Sequence, residues 1–191
     1  FLALALAFSR DFEDGYFANL VKDHKSSFYL ILLKATPFLI MLPFIWLIIS
    51  SFFVYFRITA DIFNFPMLVL TVLLTLASMF IGMLFSIAIP SQLKATELLM
   101  VISTPAFILS GFTWPTAAMP HAITSVAQFI PVTQFLSGFR RIAFYGGDLD
   151  SISSEITMLS LITGVAFVAM VLLLQFKMNR EVKKQKVTIE A

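Results

Sequence analysis

Apolar and polar positions alternate along this chain in long blocks, not in short periods. Four blocks are apolar enough to cross a bilayer: 36–56, 65–89, 98–112 and 156–176. A spanning segment must satisfy its backbone internally, so each block predicts a helix. The first, TPFLIMLPFIWLIISSFFVYF, meets the ~20 residues a span needs. It lies within a longer apolar stretch, 28–56, where Pro37 and Pro43 are expected to introduce kinks. Lys34 precedes its core and Tyr55 and Arg57 follow it, as interfacial anchors do. A further apolar run, FLALALAF at 1–8, has no basic stretch before it and no cleavage site after it, unlike a signal peptide. It is read as the end of an upstream span, and the sequence is expected to be a fragment.

The polar blocks carry patterns of their own. In 10–27, Phe12, Tyr16, Phe17, Leu20 and Val21 share one helical face, while Asp11, Glu13, Asp14, Lys22 and Asp23 lie mostly elsewhere. That predicts an amphipathic helix at the membrane surface. It serves either as a solvated connector or as a docking surface for a cytoplasmic partner. The block 90–97, PSQLKATE, reads as a polar turn holding Lys94. Gly146, Gly147, Asp148 and Asp150 predict a turn before the last span.

The stretch 105–140 differs from the rest. It starts as the second half of a span, interrupted by Ser103, Thr104 and Pro105. These hydroxyls either satisfy carbonyls freed by the proline or face a pathway. A sharp bend is predicted at 111–115, where Gly111, Trp114 and Pro115 fall together. Pro115, Pro120 and Pro131 then cut the chain into pieces too short to cross again. Ile123, Val126, Ala127 and Ile130 recur at helical spacing. The expected result is two short helices in, or dipping into, the membrane face. Irregular backbone at that depth survives only under cover of protein or water, which favours a gate or pore-lining element over a surface loop.

Composition agrees with a membrane protein: 59% of residues are hydrophobic and 13% charged, against about half and about a quarter in soluble domains. With Arg10 placed inside, the predicted spans put Arg10, Lys22, Lys25, Lys34, Lys94, Lys177, Arg180, Lys183, Lys184 and Lys186 on the same side. Only Arg57, Arg140 and Arg141 remain outside. Ten of thirteen basic residues on one side satisfies the positive-inside rule. Residues 10–27, 90–97 and 177–191 are therefore expected in the cytoplasm and the bend outside. Arg140 and Arg141 then meet either lipid headgroups or the Asp148/Asp150 loop, and the interfacial reading is favoured. Ser78, Gly82 and Ser86 recur every four residues, a spacing that brings helix backbones close, within one subunit or between two.

Candidate chemistry is sparse. With no cysteine, thiolate metal sites, disulfides and cysteine nucleophiles are excluded. His24 and His121 lack co-ligands at metal-binding spacing and read as ordinary interfacial histidines. No span carries a central carboxylate or cation for a proton relay, and no phosphate-binding loop of the GxxxxGK[ST] type occurs. No metal and no bound cofactor are expected, and nothing in the charge placement calls for nucleic acid. A membrane enzyme acting on lipid is disfavoured for want of a reactive constellation.

One pattern is specific. Pro105, Leu109-Ser110-Gly111-Phe112, Pro115, Met119-Pro120, Pro131, Thr133, Phe135-Leu136 and Arg140 together resemble the C-terminal half of ABC-2 type transporter permeases, the membrane subunits of ATP-binding cassette exporters. Arg10-Asp11-Phe12-Glu13-Asp14-Gly15 is similar to the family's acidic segment after its second span, and Lys34 to a lysine opening the next. Tyr16 and Lys22-Asp23-His24 depart from the usual residues. The resemblance implies a single transmembrane domain over 1–191, missing an upstream span and an extracytoplasmic domain. Its fold class is all-α integral membrane: a helical bundle with four complete spans, the end of an upstream span and a re-entrant outer hairpin. It implies a coupling surface at Arg10, Asp11, Phe12, Glu13, Asp14, Gly15, Phe17 and Leu20, touching an ATP-binding subunit that carries ATP and Mg. It implies an outer gate at Gly111, Phe112, Trp114, Pro115, Met119, Pro120, Pro131, Phe135 and Arg140. A second permease subunit, membrane lipids and a bacterial cytoplasmic membrane complete the expectation. The competing expectation is a non-transporting assembly or regulatory subunit of the same fold. The cargo is open, since the 22 phenylalanines suit either lipid contact or a hydrophobic or amphipathic substrate.

Overall fold

The computed structural model describes residues 2–14, 27–57 and 64–190, with side chains from Phe8, from Tyr29 and up to Val182 in the respective stretches. Among the described residues every regular element is helical. They are α1 (Leu2–Glu13), α2 (Ser27–Tyr55), α3 (Phe65–Ala88), α4 (Gln92–Leu109), α5 (His121–Ala127), α6 (Pro131–Tyr145) and α7 (Ser153–Glu190), with 3-10 turns at Thr116–Ala118 and Asp150–Ile152. Four of these helices are long and apolar enough to cross a membrane: Tyr29–Tyr55, Phe65–Ala88, Gln92–Leu109 and Asp150–Val182. The chain is thus an all-α integral membrane protein.

α2 runs through Pro37 and Pro43 as one helix of 29 residues. One expectation changes. The block 90–97 is not a turn, because α4 already begins at Gln92.

Several hydroxyls inside the spans are turned back onto their own helices. Thr36 donates to the Leu32 carbonyl at 2.7 Å, Ser50 to Trp46 at 2.7 Å, Ser51 to Leu47 at 2.8 Å and Thr71 to Met67 at 2.8 Å. A serine or threonine that bonds four residues back is quiet in an apolar medium. The same helices carry large apolar side chains outward; in α2, Phe44 and Leu47 are each 66% exposed. In water such a surface would be a liability, whereas lipid tails are as apolar as the side chains themselves.

The chain divides into two compact units. The first comprises Phe1–Phe38, Met79–Met100 and Val165–Ala191. Phe8, Leu30, Met83, Ile87, Met170 and Leu174 are almost completely buried there. Phe80 of α3 meets Phe167 of α7 with ring centroids 5.1 Å apart.

The second unit comprises Leu39–Ser78 and Val101–Gly164. Its core joins Met67 and Leu70 of α3, Ile142 of α6, Ile152 and Leu159, with Trp46, Phe53, Phe135 and Phe139 packed against it. Gly138 makes this possible, since a Cβ there would lie 2.6 Å from Leu70 Cδ1. α6 opens on Pro131, favoured at a first helical position, and closes on Gly146 at φ 63°. The Gly147 N–H then bonds back to the Arg141 carbonyl at 3.0 Å, the glycine-terminated ending common in α-helices.

Candidate functional site

The first unit contains a junction where the last residues of α1 each meet a different helix. Ser86 of α3 is fully buried, and its Oγ accepts the backbone N–H groups of Phe8 at 2.7 Å and Ser9 at 2.9 Å. The Ser9 hydroxyl donates to the Ile89 carbonyl at 2.8 Å. Of the small-residue series, Gly82 and Ser86 are buried and Ser78 is half-buried.

Two residues later, Asp11 pairs with Lys34 of α2 at 2.7 Å, with side chains only 10% and 25% exposed. Lys34 Nζ also lies 5.9 Å from the Phe8 ring centroid. Breaking one side of so enclosed a pair strands the other charge, so α1 and α2 are held together here.

Glu13 reaches the start of α4. Its Oε1 accepts the Gln92 backbone N–H at 2.9 Å and its Oε2 accepts the Gln92 side-chain amide at 2.8 Å. Helix N-termini leave N–H groups without intrahelical partners and carry partial positive charge, so a carboxylate fits there. The C-terminus of α3 receives the opposite complement. Lys177 of α7 donates to the Ile87 carbonyl, and its Nζ stands 4.2 Å from the Phe12 ring centroid. The short link between α3 and α4 is thus held at both ends by charges of the correct sign. Arg10 and Asp14 face outward instead, 74% and 61% exposed and 3.6 Å apart. Gly15, Phe17 and Leu20 lie outside the described residues.

The second unit contains the bend. Gly111 adopts φ 82°, a conformation that residues with a Cβ rarely take. Ser110 donates to the Phe107 carbonyl at 2.6 Å. Two donors from α6 then reach the end of α4: Thr133 Oγ1 bonds the Leu109 carbonyl at 3.2 Å, and Arg140 Nη2 bonds the Gly111 carbonyl at 2.5 Å. Arg140 thus supplies a partner for an otherwise orphaned carbonyl. Arg141 is exposed, with Glu155 Oε1 at 3.3 Å and the Ser151 carbonyl at 2.8 Å. These partnerships join positions far apart in sequence, which no local pattern marks.

The remaining residues of the bend divide by exposure. Met119 and Pro131 are buried, Trp114 and Phe135 half-buried, and Phe112, Pro115 and Pro120 exposed. Phe112 lies against Phe107 with centroids 5.6 Å apart. Pro115 and Pro120 precede the 3-10 turn and α5.

The family model of the ABC-2 type transporter matches residues 2–144. The chain belongs to that family. The match takes in α1 to α6, and so both the junction and the bend of this ABC-2 chain. No curated protein and no solved structure matches it.

Proposed function

We propose that this chain is the permease subunit of an ATP-binding cassette exporter. It works with a partner ATPase and a second permease subunit in a bacterial cytoplasmic membrane. Membership of the ABC-2 family is the observation that carries this reading. ATP and Mg belong to the partner, which docks at the end of α1, where Arg10 and Asp14 point outward. Asp11, Phe12 and Glu13 serve as the transmitting face, because each engages a different helix.

The outer gate is the bend around Gly111. At membrane depth every carbonyl needs a partner, and Thr133 and Arg140 supply partners for those of Leu109 and Gly111 at the bend. Closure of the ATPase displaces α1, the Glu13 link moves α4, and α4 carries the bend between closed and open arrangements. Such a switch needs two discrete packings, since closely packed interfaces are bistable and do not deform continuously.

The test is purification of the full-length protein from its native membranes in mild detergent. A co-purifying ATP-binding subunit, with ATPase activity that falls on charge reversal at Asp14 and Arg10, supports the reading. An isolated permease with no ATPase under several gentle conditions, and no ATPase domain elsewhere in the full-length chain, leaves the non-transporting alternative standing.

A further inference from the structure

We propose that the contact between Phe12 and Lys177 is a release point: Lys177 holds the last turn of α1 against α7 and lets it go when the ATPase closes. The inference rests on the export reading and deepens it, since Phe12 then acts on α7 by parting from it. It also divides the helices of the first unit into a moving set and a stationary set.

The ties of α1 differ in what it costs to break them. Phe8 and Ser9 are fully buried, and Ser86 Oγ accepts both of their backbone N–H groups. Opening that contact would leave buried donors bare, which is expensive. Asp11 is buried against Lys34, and separating them would strand an enclosed charge. Glu13 holds Gln92 with two charge-assisted hydrogen bonds. α1 therefore pivots at Ser86, and α2 and the start of α4 follow it.

Phe12 is held differently. It and Lys177 are only half-buried, so the pair is not sealed from its surroundings. Lys177 Nζ stands 4.2 Å from the ring centroid, and a cation–π contact is weak where the cation keeps access to water. No charge is stranded when the ring leaves, because the ammonium still donates to the Ile87 carbonyl at the C-terminus of α3, where a cation is favoured. That same bond ties α7 to α3, as the rings of Phe80 and Phe167 do. α3 and α7 thus stay together while α1 turns, and the line of parting runs between Phe12 and Lys177.

The test uses the full-length protein in complex with its ATP-binding subunit. The chain has no cysteine, so Phe12→Cys combined with Lys177→Cys gives a defined pair of thiols. A short cleavable bis-maleimide joins them, and mass spectrometry confirms the link. The comparison pair, Phe80→Cys with Phe167→Cys, ties α3 to α7 in the same way. The expected result is an ATPase rate that falls severalfold when 12 and 177 are joined, recovers when the linker is cleaved, and does not respond to the 80–167 link. Phe12→Leu removes the ring and leaves Lys177 on Ile87. It should raise the ATPase rate about two- to fivefold, the size of an exposed cation–π contact. Lys177→Arg keeps a cation over the ring and should raise the rate less. An active complex whose rate ignores the 12–177 link, or falls equally with the 80–167 link, overturns the proposal. So does a pair at 12 and 177 that cannot be joined, or a Phe12→Leu rate at or below wild type. Absence of any ATP-binding subunit instead overturns the export reading, and this inference with it.

Discussion

The Glu13 carboxylate grips Gln92 with both oxygens, one on the backbone N–H and one on the side-chain amide. A residue at the end of one helix thereby becomes the cap of another, far along the chain. Glu13→Ala is expected to loosen the first turn of α4 by about 1 kcal/mol, the usual cost of a lost cap. Hydrogen exchange at residues 92–96 measures it, and protection equal to wild type would deny the cap its role. Glu13→Gln keeps acceptor geometry on one side and is expected to lose less.

The Asp11–Lys34 pair gives a second expectation. Asp11→Asn and Lys34→Met each leave one enclosed charge unpartnered and should destabilise the protein by ~3 kcal/mol. The double variant removes both charges and should cost clearly less than the two together. Thermal unfolding in detergent checks the coupling; strict additivity would mean that the pair is not a unit.

Why neither contact could be read from the chain is a matter of distance. A span shows itself through twenty adjacent residues, and the four apolar helices were legible for that reason. The bend at Gly111 was legible because a glycine and a proline mark a turn locally. The contacts of Asp11, Glu13, Arg140 and Lys177 depend on which helices become neighbours, and neighbouring helices leave no mark in adjacent residues. The start of α4 was misread for the same reason. Its first turn is polar because it meets Glu13, and polarity alone looks like a loop.

Two glycines make opposite expectations. Gly138→Ala forces a Cβ to within 2.6 Å of Leu70 Cδ1 and should cost roughly 1–3 kcal/mol, as overpacking does. Gly164→Ala in α7 meets nothing within 4 Å and should be neutral or stabilising by up to about 1 kcal/mol through helix propensity. Melting temperatures of the two variants, measured side by side, decide the matter. A destabilised Gly164→Ala with an unaffected Gly138→Ala would contradict the packing described.

At the bend, Gly111→Ala combines an unfavourable φ of 82° with a Cβ 3.1 Å from Thr116 Cγ2. It should cost at least ~1–2 kcal/mol from the backbone alone. Gly146→Ala has the same backbone problem but open space around its Cβ, so it should be the milder of the two. Unfolding measurements on the pair separate the steric part from the conformational part.

The hydrogen bonds from Thr133 and Arg140 to the end of α4 also have a mechanical meaning. Peeling α6 away would leave the carbonyls of Leu109 and Gly111 bare, and in hydrocarbon each such group costs several kcal/mol. The tip of α4 and the body of α6 therefore travel as one wedge. Any opening proposed at the bend has to be taken up at the edges of that wedge and not along the seam within it.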